Sequence, residues 1–236
     1  MFKDIKQVMK DSVLYGIGNV AVKLVGFILI PLYTDAEYFS TADYGLMGLL
    51  EVTSQILIAV MGLSLYSGLI RWYWDAEYRD KQKTIFFTTL LFTILTSLCI
   101  GSVLWLNVGE LSALLVQQEG YSLGGELPYI LQLLILTSML GAVVEVPQNL
   151  LRLQRKPIYY SLTNIVRLFV TLVLTIYFTI SLHRGVSGVY EAQLVGIVIQ
   201  LLMVSPLVIK NSSCRVDRRC TIQLLAYSYP LVFPAI

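Results

Sequence analysis

Lys23, Glu51, Glu145 and Arg167 each stand inside a long apolar run of this sequence. At membrane depth a charge costs roughly 2.5–3.5 kcal/mol on insertion scales, so such a group faces a protein interior or a water-filled cavity. Helical spacing gives each of them polar or small neighbours on the same face. Gly16, Asn19, Lys23 and Gly26 form one stripe, and Gly48, Glu51, Gln55, Ala59 and Gly62 a second. Ser138, Gly141, Glu145, Gln148 and Arg152 form a third, and Tyr160, Asn164, Arg167, Thr171 and Thr175 a fourth. Gln193, Gly196 and Gln200 make a shorter fifth. One chemistry for such stripes is helix packing, in which small residues allow close approach and buried amides and hydroxyls bond across helices. On that reading the charges pair internally, Lys23 with Glu51 and Glu145 with Arg167. The other chemistry is a cavity offering positive charge to an anionic headgroup. Its candidate substrate-binding residues are Lys23, Arg167, Asn19, Glu51, Gln55, Glu145 and Asn164.

Other chemistries have no foothold. The sequence has no P-loop, no Gly-rich dinucleotide turn and no His-based metal motif. The expectation is a protein that is not an enzyme, hydrolyses no ATP and uses no cofactor or metal. The only histidine, His183, has no evident partner. Cys99, Cys214 and Cys220 match no zinc spacing.

The elements that must position these residues are transmembrane helices. Hydrophobic residues make up 56% of the chain and charged residues 14%, against roughly a quarter charged in soluble domains. The apolar residues come in blocks of about twenty, the length that spans a ~30 Å hydrocarbon layer. Backbone polar groups in lipid must bond internally, so each block is a helix. The fold class is all-α: a polytopic transmembrane helix bundle of about six spanning helices plus the start of a seventh. The spans fall at 12–33, 45–69, 84–106, 128–150, 159–182 and 188–209. Residues 1–11 form a tail, 12–209 the bundle, 210–220 a basic loop and 221–236 the start of a seventh segment. The first span, interrupted by Asn19 and Lys23, is not a cleaved leader. The third, without charge after Lys83, reads as lipid-facing. Residues 111–116, in the longest connection, read as an interfacial helix. Pro147 and Pro206 are expected to bend their helices.

Basic residues set the orientation. The N-terminal tail and the second, fourth and sixth connections hold 14 Lys and Arg, whereas the alternate connections hold Arg184 alone. The basic loops and the N-terminus are therefore expected in the cytoplasm, beside anionic lipid headgroups and with no nucleic-acid partner.

Several short motifs resemble one family. Tyr15-Gly16-Ile17-Gly18-Asn19, Lys23-Leu24-Val25-Gly26-Phe27 and Ile30-Pro31-Leu32-Tyr33-Thr34 are similar to the opening of bacterial polysaccharide-biosynthesis flippases. Asp43-Tyr44-Gly45, Leu69-Ile70-Arg71-Trp72-Tyr73-Trp74 and Leu150-Leu151-Arg152 through Arg155-Lys156-Pro157 also fit. So do Gly185-Val186-Ser187-Gly188-Val189 and Tyr229-Pro230-Leu231-Val232-Phe233-Pro234. The resemblance is to the oligosaccharide flippases of the multidrug/oligosaccharidyl-lipid/polysaccharide exporter superfamily. It implies two six-helix bundles rocking around a central cavity. The substrate would be an undecaprenyl-pyrophosphate-linked oligosaccharide, carried across the bacterial inner membrane for surface polysaccharide such as O-antigen or lipopolysaccharide. Membrane lipids, and glycan polymerase and ligase machinery, are the implied partners. On this resemblance the chain is an N-terminal half, either a fragment or one needing a partner to complete the transporter. Two rivals stand beside it: an ion-coupled drug or small-molecule antiporter of the same superfamily, for which Glu51 and Glu145 are the carboxylates, and a polytopic membrane enzyme of glycan assembly.

The basic split generates a test. With single cysteines at the positions of Arg79, Arg155, Glu37 and Glu119, an impermeant maleimide should label only the last two in intact cells. Labelling at position 79 without permeabilisation refutes the orientation.

Overall fold

The computed structural model describes residues 27–116, 125–213, 215–216 and 218–231, and among these no strand occurs. A helical stretch over 27–33 is followed by α1 (Thr41–Gly62), α2 (Leu65–Trp72) and a 3-10 turn at Ala76–Lys81. Next come α3 (Gln82–Leu106), α4 (Val108–Val116), α5 (Leu127–Leu153) and α6 (Pro157–Ile176), the last extended by a π-helical turn at Tyr177–Ser181. α7 (Gly185–Asn211) and α8 (Arg218–Ser228) complete the set. Five helical segments are long and apolar enough to cross a membrane. They correspond to the second through sixth expected spans. Most of the first span, with Asn19 and Lys23, lies outside the described residues. The chain is thus an all-α, multi-pass membrane protein.

Local sequence explains where the helices start. Asp43, from the Asp-Tyr-Gly motif, closes a capping box on α1. The Asp43 backbone N–H donates to Ser40 Oγ at 3.1 Å, and the Ser40 N–H donates to Asp43 Oδ2 at 2.9 Å. This satisfies two backbone donors that the first turn leaves open. Prolines occupy the first turn of α5 and α6, where no N–H is needed.

α5 is the central element and the most buried of the five spans. It packs against α1, α3 and α7, while α6 packs mainly on α7. Two apolar clusters fill the bundle. Leu46, Leu50, Met61, Ile130, Leu134 and Tyr190 belong to one, and Leu69, Ile85, Phe86, Leu150, Leu151 and Tyr160 to the other. The connections alternate between two ends. At the basic end Gln154 Nε2 donates to the Tyr73 hydroxyl at 3.1 Å and to Asn211 Oδ1 at 2.9 Å, joining three connections. At the opposite end Tyr38 stacks on His183, giving that histidine the partner its sequence did not reveal. There Arg184 and the Tyr129 hydroxyl both engage Glu191.

Two expectations are corrected. The second span is not one helix: it breaks at Leu63 and Ser64, which carry φ values of 45° and 49°. Two consecutive left-handed non-glycine residues are costly, so the surroundings must hold them. Thr96 Oγ1 of α3 donates to the Met61 carbonyl at 2.7 Å, and Ser64 Oγ donates to the Leu231 carbonyl at 3.2 Å. Secondly, α3 is lipid-facing on one side only, where Leu95, Leu98, Val103 and Leu106 are exposed. Thr88, Thr89, Thr93 and Ser97 are buried. Thr89 and Thr93 return their hydroxyls to carbonyls four residues back, whereas the Thr88 and Ser97 hydroxyls have no partner among the described residues, so this face presents small polar groups to the bundle. Pro147 and Pro206 lie inside continuous helices, and the break in the second span falls where there is no proline. The weakly apolar piece at 111–116 is helical as part of α4, and its Leu111 packs against the first apolar cluster.

Thr96 generates the test here. Thr96→Val keeps shape but strands the Met61 carbonyl, and should destabilise the protein by about 1–2 kcal/mol, as an interhelical membrane hydrogen bond does. Thr96→Ser should hold parental stability. Unfolding in mixed micelles measures both, and a Val variant as stable as the parent refutes the role.

Candidate functional site

Glu51, Gln55, Asn164 and Arg167 come together. They line one open cavity of about 300 Å³ with Ser54, Ile58, Thr171 and Gln193. α1 supplies one wall, and α6 and α7 the other. Glu51 stands ten residues past the start of α1 and Arg167 ten past the start of α6, so each lies ~15 Å from its helix start and near mid-membrane.

Glycines set the spacing of these walls. A Cβ on Gly141 of α5 would meet Ile58 of α1 at 3.0 Å and Ile197 of α7 at 3.7 Å, so three helices converge there. A Cβ on Gly196 would lie 2.1 Å from Thr171 Oγ1 and 3.2 Å from the Arg167 carbonyl. That contact holds α6 tightly against α7.

The close approach permits a polar network. Arg167 Nη1 donates to Gln200 Oε1 at 3.1 Å, and Gln200 Nε2 donates to Asn164 Oδ1 at 2.9 Å. The buried Gln200 thereby orients Arg167 toward the cavity. On the facing wall Gln55 Nε2 donates to Glu51 Oε1 at 3.2 Å. Ser54 and Ser138 join α1 to α5 at 3.1 Å. Glu51 and Arg167 make no direct ion pair, yet the Glu51 charge acts on the guanidinium. The cavity therefore has an acidic wall and a basic wall, with guanidinium donors on one and a carboxylate on the other that do not bond to each other.

Glu145 does not join them. The expected Glu145–Arg167 pair does not form, because Arg167 is turned to Gln200 while Glu145 lines a second cavity with Gln55, Ser64 and Tyr66. Gln55 lines both. Lys23 and Asn19 lie outside the described residues, and with them any pairing of Lys23 with Glu51. Sequence reasoning placed Gln193 and Gln200 on a polar stripe but not in the site, because a short Gln-Gly-Gln stripe carries no charge. It missed Ser64 and Tyr66, whose position depends on the helix break. Cys99 is exposed and Cys220 buried, and among the described residues no cluster of acidic, His or Cys side chains is set to hold a metal.

Solved structures share this fold. The chain superposes on an outward-facing multidrug resistance MATE family transporter of the MOP superfamily with a TM-score of 0.72 at 18% identity, covering 98% of this chain and 52% of that one. It superposes equally, at 20% identity, on a MOP superfamily transporter from Pyrococcus furiosus Vc1 (DSM3638), described as having a binding pocket of reverse polarity that suggests a different function; 98% of this chain and 51% of that one are covered. A MATE structure in the bent conformation gives a TM-score of 0.70 at 18% identity, covering 96% and 52%. The chain has the MATE fold. It spans about half the length of these structures. No protein-family model and no curated protein matches it.

The Gly196 contact can be tested directly. Gly196→Ala forces α6 off α7 and should cost about 1–3 kcal/mol, the usual penalty of overpacking. Thr171→Ala in the same protein removes the nearest obstacle and should recover most of the loss. A neutral Gly196→Ala disproves the close approach.

Proposed function

We propose that the chain is one lobe of a membrane transporter of the MOP type, an ion-coupled antiporter of small molecules or drugs. The observation that carries this is the mid-membrane cavity with Glu51 on one wall and Arg167 on the other. A pair of opposite charges at that depth, not joined to each other, is costly unless something enters to use it. Transport follows if the cavity is exposed to each side in turn, with Glu51 exchanging an ion or a cationic group and the Arg167–Gln200–Asn164 wall orienting the substrate. The solved structures of this fold that are described as multidrug transporters support the small-molecule reading over the lipid-linked one. The basic loops support an N-terminus on the cytoplasmic side of a bacterial inner membrane.

One observation favours a second reading. Arg167 has donors left over after bonding Gln200 and no carboxylate in direct contact, which suits a pyrophosphate headgroup. With the motifs shared with the flippases, this supports movement of an undecaprenyl-pyrophosphate-linked oligosaccharide, with glycan polymerase and ligase as partners.

Paired assays separate the two. The antiporter reading expects drug efflux down an opposing ion gradient, reduced at least tenfold by Glu51→Gln. It also expects no rescue of glycan export in a strain lacking its flippase. The flippase reading expects the reverse: rescue that survives Glu51→Gln, is lost in Arg167→Met, and is partly kept in Arg167→Lys. Absence of both activities refutes the transport assignment.

A further inference from the structure

A further cavity, of about 330 Å³, opens between α3 and α5. Gly101, Ser102, Trp105 and Leu106 of α3 and Leu136 and Met139 of α5 line it, and it shares no residue with either polar cavity. Both helices are spans. Ser102, Trp105 and Leu106 continue the exposed face of Leu95 and Leu98 at helical spacing, so the mouth of the cavity meets hydrocarbon. No charged side chain lines it.

Its depth and floor are set by the sequence. α3 ends at Leu106, at the end of the bundle opposite the basic loops. Ser102 and Trp105 stand four residues and one residue before that end, ~6 Å and ~1.5 Å below it. Leu136 and Met139 stand nine and twelve residues past the start of α5, ~14 Å and ~18 Å in. A Cβ on Gly101 would lie 2.3 Å from Met139 Sδ, so the bare glycine lets the thioether lie across α3 and floor the cavity. Met139 also packs against the first apolar cluster, and its flexible chain lets the floor adapt to what rests on it.

The rim is polar and unsatisfied. Thr89, Thr93 and Thr96 of the same helix give their hydroxyls to carbonyls four residues back. Ser102 does not, and among the described residues neither its hydroxyl nor the Trp105 indole N–H has a partner. An unbonded hydroxyl in hydrocarbon costs free energy. Tryptophan favours the membrane interface, where its N–H reaches acceptors at headgroup level. Two donors one turn apart, above an apolar slot, match a ligand with acceptors at the interface and a long apolar tail. The ester carbonyls and acyl chains of a glycerolipid supply both at this depth, and the bilayer itself provides them.

We propose that the α3–α5 cavity binds one diacyl glycerolipid of the leaflet away from the basic loops. Its ester carbonyls accept hydrogen bonds from Ser102 and Trp105, and one acyl chain lies over Gly101 against Met139 and Leu136. With no cation in the lining, the site reads the glycerol esters and the chain and leaves the headgroup unread.

The test uses the full chain, delipidated in dodecyl maltoside, with Trp72→Phe and Trp74→Phe so that Trp105 alone fluoresces. Phosphatidylcholine brominated on its acyl chains should quench Trp105 saturably, with one lipid per chain retained in native mass spectra. Ser102→Ala should need about 2- to 10-fold more lipid, the loss of one hydrogen bond. The dialkyl ether analogue, which lacks the carbonyls, should bind the parent at least that weakly, and Ser102→Ala should weaken it little further. Ser102→Phe fills the slot from an exposed position and should remove the saturable phase. Leu95→Phe, on the same face but outside the cavity, should keep it. Should the tryptophan replacements unfold the protein, native mass spectra of the other variants read the same series. Binding that never saturates, persists in Ser102→Phe, or is equal for ester and ether lipids overturns the proposal. Displacement of the lipid by a drug that the protein transports assigns the cavity to substrate and overturns it as well.

Discussion

Hydrocarbon offers no hydrogen bonds, and the architecture follows from that constraint. Every polar group on a span must find a partner in the protein or open onto water. Gln148 of α5 takes the first course, donating to Thr163 Oγ1 of α6 at 2.9 Å within a buried contact. Thr89 and Thr93 of α3 take a local version, returning hydroxyls to their own helix. Arg167 takes both, with one nitrogen on Gln200 and the rest of the guanidinium toward the cavity. Lipid gives little hydrophobic drive for helix association, so such bonds and close backbone approach carry much of the specificity. Gly141 and Gly196 are where that approach is closest around the cavity. Bulk at either position would separate the walls that the polar groups need to reach across.

Much of this was legible in the sequence, because a span is a long signal. Twenty apolar residues between polar connections leave little freedom, and α3, α5 and α7 begin and end within a few residues of expectation. The stripes were legible too, since helical periodicity alone puts Glu51 with Gln55 and Asn164 with Arg167. Partner choice between helices was not. Glu145 and Arg167 have complementary charge and lie on consecutive spans, yet Arg167 lies against α7, through Gly196, and turns to Gln200. The rotation of a helix about its axis depends on which small residues meet, and one stripe does not reveal its counterpart.

The break after Gly62 shows the same limit at backbone level. Gly62-Leu63-Ser64-Leu65 reads as ordinary span sequence, and the prolines pointed elsewhere. What makes the break possible is supplied from afar, by Thr96 on α3 and by the Leu231 carbonyl just beyond α8. Left-handed residues at 63 and 64 are tolerable only while those two contacts hold. A local sequence window contains neither.

The break also divides the polar interior in two. Before it, α1 runs straight and sets Glu51 and Gln55 against Arg167 across an open cavity. After it, the chain turns and brings Ser64 and Tyr66 beside Glu145. Two carboxylates that a continuous helix would leave on one stripe system are thereby given different company: one faces a guanidinium, the other neutral oxygens. Gln55, one turn after Glu51, belongs to both groups and can satisfy each with a different atom of the same amide. A shift of that amide toward either cavity weakens its bond in the other, which is the minimum physical requirement for two sites to sense one another.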